Sequence, residues 1–259
     1  MTTSVSGAQS LQGTVALVTG ASSGIGRATA LELAVRGAAV AITARRRDRL
    51  VELAGAIEAL GGGGLVLEAD IAQREQAMAV VSGTVEKLGR LDTVVNSAGV
   101  MLNGPSIDTP IEDWEAMVAV NVSGLVYVSK AALPHLLGAV DTGTRGVADL
   151  VNISSIAGRL MTAEVAIYNA TKAAVNAFTE ALRLEFTKRS LRVSVVSPGV
   201  TESELFDHLA EPTKLQYAEW FADVEKLHAQ DIADAIAYIV TSPRRVAVNE
   251  MVIRPTDHQ

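Results

Sequence analysis

The stretch Thr19-Gly20-Ala21-Ser22-Ser23-Gly24-Ile25-Gly26 stands directly behind the apolar run at residues 15–18 and in front of a helical pattern. A glycine turn between a strand and a helix is a cradle for a dinucleotide pyrophosphate. Its glycines let the backbone pass close to the anion, and the helix aims free amides and the positive end of its dipole at it. A turn that only reverses the chain needs neither flank, and both are present. The spacing is G-x-x-x-G-x-G, with three residues between the first two glycines where the common fingerprint has one.

Outward from that turn, short β-branched runs alternate with longer amphipathic ones, the pattern of repeated βαβ units around a parallel sheet. Strands are expected at residues 15–19, 39–43, 65–68, 93–96, 149–154, 192–197 and 248–253, with helices between them. Most of these runs are almost continuously apolar, as when helices cover both sheet faces. The expected fold is therefore α/β: a Rossmann-type, doubly wound parallel sheet of about seven strands with helices on both faces. The run Gly61-Gly62-Gly63-Gly64 reads as a loop between helix and strand, and residues 141–146 as a second loop. Residues 200–227 are less regular, mixing Glu202, Glu204, Pro212, Tyr217, Trp220 and Phe221 among polar residues, and follow a strand's carboxyl end. That position marks a candidate lid over a substrate.

The chain has 259 residues, 49% hydrophobic and 20% charged, with nothing linker-like in its middle. One domain over residues 1–259 is expected, with residues 1–10 as a flexible start. Cysteine is absent, which excludes disulfides, thiolate metal sites and cysteine nucleophiles, and is compatible with a reducing cytoplasm. A formal charge of −7 opposes nonspecific nucleic-acid binding. The opening MTTSVSGAQS lacks the charged start and apolar core of a secretory signal. No apolar run approaches the roughly 20 residues of a membrane helix. The expectation is a cytoplasmic protein without nucleic-acid or membrane partners. His135, His208, His228 and His258 are scattered, with no pair at ligand spacing, so no metal site is expected.

Tyr168 and Lys172 are four apart in a helical stretch and leave the same helix face. A phenol with a pKa near 10 is a poor acid at neutral pH, and a neighbouring ammonium favours its ionised form. The pair could act as a proton donor and acceptor; alone, it could equally be a surface tyrosine beside a solvated lysine. Ser155 stands thirteen positions earlier, just past an expected strand, where parallel sheets bind ligands. Its hydroxyl could bond a substrate carbonyl or cap a loop.

Glycine turn, serine, tyrosine and lysine in this order and spacing resemble the short-chain dehydrogenase/reductase family from about residue 11 onward. The resemblance implies NADP(H)- or NAD-linked carbonyl/alcohol chemistry with Ser155, Tyr168 and Lys172 as catalytic residues. It adds Asn121, in Val120-Asn121-Val122, as the fourth, bending its helix and holding a water toward Lys172. The family's N-N-A-G reads Asn96-Ser97-Ala98-Gly99, with Ser97 in place of the second asparagine. Its P-G-x-x-x-T reads Pro198-Gly199-Val200-Thr201-Glu202-Ser203, so Ser203 carries the final hydroxyl and Thr201 is a second candidate for the nicotinamide. Ile253-Arg254-Pro255-Thr256-Asp257, with Ala44-Arg45-Arg46, is further similar to the clavulanate-9-aldehyde reductase branch of the family.

An acid after the second strand would accept bonds from the adenine ribose and repel a 2′-phosphate. Ala44 stands there instead, followed by Arg45, Arg46 and Arg47. Three cations at a helix start oppose its dipole unless an anion joins them. NADP(H) is therefore the expected cofactor, with Arg45 the main phosphate contact and Arg46 stacking on or flanking the adenine. The pyrophosphate falls to Gly20, Ser22, Ser23, Gly24, Ile25 and Gly26, and the resemblance adds Asn96, Ala98, Gly99 and Pro198 to Thr201 along the nicotinamide half. Asp70 reads adenine together with the Ile71 amide, or caps a helix over residues 72–81.

The expected reaction is NADPH-dependent reduction of an aldehyde or ketone. A dinucleotide sensor without activity would lack the tyrosine or lysine, and a nucleotide-sugar epimerase or dehydratase has a differently spaced turn. Met101, Leu102, Leu160, Met161 and Phe206 are candidates for an apolar pocket or for the core. Trp114 is expected to pack its helix, and Trp220 to line a pocket or an interface. The resemblance implies a homotetramer or homodimer pairing through helices near residues 111–137 and 165–190 and through the last strand.

Overall fold

Alternation along the strands sets the layers. Ala16, Val18, Val40, Ile42, Val95, Val151 and Val196 enter one buried apolar cluster, while Val15, Leu17, Ala41, Val94, Leu150 and Val193 enter another. Side chains two apart share a face, so the strands from β1 through β6 feed both clusters, while β7, at the edge, turns Met251 and Ile253 to one cluster and leaves Glu250 and Val252 exposed.

In the computed structural model, which describes residues 10–257, the chain runs β1 (Val15–Thr19), α1 (Gly24–Val35), β2 (Ala39–Ala44), α2 (Arg47–Ala59), β3 (Gly64–Glu68), α3 (Arg74–Leu88) and β4 (Thr93–Asn96). It continues through α4 (Ile111–Val118), α5 (Leu125–Thr142), β5 (Ala148–Ile153), α6 (Ala166–Phe186), β6 (Leu191–Pro198), α7 (Glu211–Trp220), α8 (Ala229–Thr241) and β7 (Glu250–Ile253). The strands form one seven-stranded sheet in the order β3-β2-β1-β4-β5-β6-β7, and every neighbouring pair is parallel. Leu33, Leu50, Leu53, Ile57, Ile232 and Ile236 from α1, α2 and α8 close one cluster. Val80, Val81, Val128 and Leu136 from α3 and α5 close the other. Each large apolar side chain so buried contributes about 1.5–3 kcal/mol. The strand order reverses between β1 and β4, and the crevice above that reversal is where open α/β sheets bind ligands.

The Rossmann-type sheet expected from the sequence is the one observed, with small shifts at its ends. β7 starts at Glu250 rather than 248, because the Val248 carbonyl accepts the Ser194 hydroxyl at 2.7 Å. α5 runs on through Thr142, where the Thr142 hydroxyl and the Gly143 amide bond Gly138 and Ala139 carbonyls, so the loop expected from residue 141 is shorter. The expected flexible start, apart from Ser10, and His258 lie outside the described residues.

The helical run Ile111–Thr142 is 32 residues with a mean hydropathy of 1.5 in its most apolar window, enough by length and composition to cross a membrane. Polar residues interrupt it in sequence, so no continuous apolar run betrays it. Leu125, Val128, Ala132, Leu136 and Ala139 turn inward to the fold, yet only 39% of that window is buried.

At the amino ends of β5 and β6, opposite the crevice, Asp149 lies fully buried between two arginines. Arg192 grips it with two bonds of 2.7 and 3.0 Å, and Arg145 adds one at 3.1 Å. Arg192 also donates to the Val240, Ser242 and Val246 carbonyls, tying the end of α8 to the sheet.

Candidate active site

Six strand ends meet one cavity of about 670 Å³. β1 delivers Gly20 to Gly26, β2 Arg45 and Arg46, β3 Asp70 and Ile71, β4 Ala98 and Gly99, β5 Ser154 and Ser155, and β6 Pro198 to Thr201. Each end is a loop by necessity, because a parallel strand leaves the sheet there.

The glycine turn has no room for side chains at two points. A Cβ at Gly20 would stand 2.6 Å from the Ala98 Cα, and one at Gly26 2.4 Å from the Gly20 carbonyl. Gly20 also adopts a φ of 66°, which side chains disfavour. The Thr19 hydroxyl holds the next loop against it by accepting from the Ser97 and Ala98 amides at 3.1 and 3.2 Å. α1 begins with no side-chain cap on its N-terminus and no acid in its first turn. Its leading amides thus face the cavity without an internal anion, as a pyrophosphate site requires.

Arg45 and Arg46 both line the cavity, but Arg46 is the one seated on the turn. Its Nε and Nη2 donate to the Ser22 hydroxyl at 3.2 and 3.0 Å, Nη2 also to Ser23 at 2.9 Å, and Nη1 to Glu204 at 2.7 Å. Asp70 does not cap α3, whose N-cap is Gln73. Its carboxylate accepts from the Ala72 amide at 3.0 Å, and its own amide donates to Gln76 at 2.9 Å, fixing the loop at the cavity wall. Asn96 lies under the cavity, its amide donating to Ser129 and to Asn152 at 3.0 and 2.8 Å.

Asn121 sits where α4 and α5 join through a π-helical turn, Ala119–Gly124. Its side chain accepts from the Val100 amide at 2.8 Å and donates to the Val100 carbonyl at 2.9 Å and to Thr171 at 3.2 Å. Gly124 lets this wide turn lie against Ile71, where a Cβ would come within 2.9 Å of both its side chain and its carbonyl.

Tyr168 and Lys172 lie one turn apart on the buried face of α6. The Lys172 Nζ donates to the Ile153 carbonyl at 3.0 Å and stands 5.6 Å from the centre of the Tyr168 ring. Ser155 follows β5, its hydroxyl accepting from the Ala157 amide at 3.1 Å. Burial pushes the Tyr168 phenol up to about 12, with a hydrogen bond from Ser155 pulling the other way. Burial also pulls Lys172 down to about 8. Burial is the largest influence on this phenol and works against the acidification expected from the lysine.

Segment 200–227 is closed at its base: the Glu202 amide bonds the Leu227 carbonyl at 2.7 Å and the Leu227 amide the Val200 carbonyl at 3.1 Å. It is more regular than its sequence suggests. A 3-10 turn, Glu204–His208, precedes α7, which starts with a proline in its first turn. Leu205, Phe206, Tyr217, Trp220 and Phe221 from this segment face the cavity with Met101 and Leu160. Two expected pocket residues do not: Leu102 donates its amide to the Met117 sulfur, and Met161 is 65% exposed. Trp114 packs with Met117 as expected, and Trp220 lines the cavity 5.3 Å from the Tyr217 ring. Thr201 bonds the Gly199 carbonyl at 3.0 Å, and Ser203 caps the 3-10 turn. Sequence reading missed Asn103, which donates to the Tyr217 hydroxyl at 2.9 Å across the cavity wall. It lies in an irregular loop with no local signal.

The profile of the short chain dehydrogenase family matches residues 14–214. An uncharacterized oxidoreductase of Staphylococcus saprophyticus is 38% identical over 248 residues, covering 95% of this chain and 98% of that protein. The closed form of a serine dehydrogenase complexed with NADP+ superposes with a TM-score of 0.84 at 29% identity, covering 95% and 96% of the two chains. A short chain dehydrogenase from Burkholderia cenocepacia in complex with NADP gives 0.82 at 32% identity, covering 94% and 97%.

Proposed function

Because this chain belongs to the short-chain dehydrogenase family, we propose that it reduces an aldehyde or ketone to the alcohol with NADPH, reversibly. The juxtaposition of Ser155, Tyr168 and Lys172 beside an uncapped glycine turn carries this reading.

The cavity fits the cofactor. Space denied to side chains at Gly20 and Gly26, and free amides at the head of α1, suit a pyrophosphate. Arg45 and Arg46, with Ala44 in place of an acid, suit a 2′-phosphate, and the NADP-bound relatives support it. Asp70 and Ile71 would read adenine; Ala98, Gly99, Tyr168 and Lys172 would hold the nicotinamide ribose, with Asn96 buried beneath them as a support; Pro198 to Thr201 would flank the nicotinamide. When bound, NADPH supplies the hydride to the carbonyl carbon.

The chain supplies the proton and the geometry. Tyr168 keeps its proton on Oη at neutral pH, since burial holds its pKa at about 12. It is therefore loaded as a donor to a carbonyl oxygen, and Ser155 orients and polarises that oxygen. Lys172 is still charged at neutral pH and offsets the phenolate as it forms. Asn121 is a positioning residue: its grip on Val100 shapes the wall beside Gly99, whose Cβ would lie 3.7 Å from the Lys172 Nζ. The segment 200–227 serves as the lid, and its aromatic side chains favour substrates with an apolar body. The branch resemblance makes clavulanate-type aldehydes one member of the substrate panel. Assembly through α4, α5, α6 and the β7 edge completes the proposal, supported by exposed Ile111, Val118, Leu184 and Val252 on those elements.

The test is NADPH consumption, followed at the cofactor's absorbance, against a panel of aldehydes and ketones. Turnover is expected from the wild type, and a loss of about 10²–10⁴-fold from Tyr168→Phe, the usual worth of a positioned acid. Undiminished turnover by that variant, or no turnover by the wild type on any carbonyl, overturns the reading.

A further inference from the structure

Glu204 is a carboxylate placed where a 2′-phosphate is wanted. It opens the 3-10 turn at the head of segment 200–227, and its Oε2 accepts from Arg46 Nη1 at 2.7 Å while Oε1 lies 3.5 Å from Arg49 Nη1. The partners are 158 and 155 residues away in sequence, so the contact is tertiary. The same Arg46 guanidinium reaches Ser22 and Ser23 of the glycine turn with its other nitrogens. The turn and the segment also touch directly, since a Cβ at Gly24 would stand 3.3 Å from the Ser203 Cβ. Arg46 and Glu204 both line the cavity.

We propose that Glu204 is a cofactor-selecting residue: its carboxylate holds the guanidinium face of Arg46 that a 2′-phosphate would take, so a phosphorylated dinucleotide must displace it. This rests on the NADP(H) reading above. A carboxylate brings one charge and two oxygens, whereas a phosphate monoester brings nearly two charges and three oxygens, so exchange favours the phosphate. A dinucleotide with a free ribose hydroxyl offers Arg46 nothing to exchange, and Glu204 stays paired. The Arg46 hydrogen bond holds the Glu204 carboxyl below its usual range, so it remains an anion throughout the neutral region. Displacement also releases the contact by which the turn that carries Leu205 and Phe206 to the cavity is tied to Arg46. The pair therefore lowers affinity for NADP(H) and links the arrival of its 2′-phosphate to that turn.

Calorimetric titration of the full chain with NADP+, NAD+ and adenosine 2′,5′-bisphosphate tests this without turnover. Glu204→Gln, which keeps the shape and removes the charge, is expected to tighten NADP+ and the bisphosphate about three- to fivefold, the upper range for a partly exposed ion pair. NAD+ is expected to bind both proteins equally, and the tightening to disappear when Arg46→Ala is combined with Glu204→Gln. Glu204→Ser, a second charge removal, is expected to repeat the effect, and thermal melts identify any variant that does not fold. A wild type that prefers NADP+ while both variants bind it no more tightly overturns the role of Glu204 and leaves the cofactor reading intact. A wild type without preference for NADP+ over NAD+, whose NADP+ affinity neither variant raises, overturns both.

Discussion

Lys172 shows how one buried residue couples stability and chemistry to pH. Its ordinary pKa of 10.5 falls to about 8 because burial strips water from the ammonium. Between those values the unfolded chain holds a proton that the folded chain has lost. Stability contributed through this group therefore rises with pH across that window and is lowest below about 8. Activity should move the other way. Tyr168 stays protonated to about 12, so loss of the lysine charge, not of the phenol proton, limits reduction on the alkaline side. The kcat/KM for carbonyl reduction is expected to decline above about pH 8, by up to tenfold per unit. A profile flat to pH 10 would remove the lysine charge from the mechanism. The two residues and Ser155 are legible in the sequence because their spacing is that of one helix face and one strand end. The order of their pKa shifts is not, because burial is a property of what packs around them.

At the scale of elements, the join between α4 and α5 is where a local irregularity serves a site. The π-helical turn Ala119–Gly124 points Asn121 at Val100, and the close approach of Ile71 to Gly124 is what lets the turn lie against the loop after β3. Gly124→Ala would drive a methyl to 2.9 Å from the Ile71 carbonyl and side chain. Overpacking of that kind costs about 1–3 kcal/mol, readable as a lower urea midpoint. An unchanged midpoint would mean that the α3 side yields freely. The sequence suggested one helix over residues 111–137 and assigned Asn121 only through family resemblance. Nothing in the periodicity of Val120-Asn121-Val122 marks a widened turn, and the residue packed against its Gly124 lies 53 positions earlier in the chain. Segment 200–227 behaves alike: its polar, aromatic-rich sequence has little helical period, yet α7 forms and its Tyr217 ring meets Phe206, from the preceding turn, at 5.7 Å between ring centres beside the cavity.

At the scale of the whole molecule, apolar surface remains outside. The span Ile111–Thr142 hides only part of its most apolar window, and Ile111, Val118, Leu184 and Val252 are at least 43% exposed. β7 closes the sheet with one unpaired edge, which invites another chain. Size-exclusion chromatography with light scattering is expected to give a dimer or tetramer, and a monomer at micromolar concentration would reject the assembly.

By itself, the sequence determined the strands, the sheet type and the glycine turn, since these follow from apolar runs, alternation and local backbone demands that neighbours in the chain supply. It also carried Ser155, Tyr168 and Lys172, because their positions ride on that regular frame. Only the tertiary structure decided that Arg46 is the arginine on the glycine turn, that Glu204 meets it from another segment, that Asn103 supports Tyr217, and that burial raises the phenol and lowers the lysine. These depend on groups far apart in sequence and on excluded water, and neither distance through space nor hydration is written along the chain.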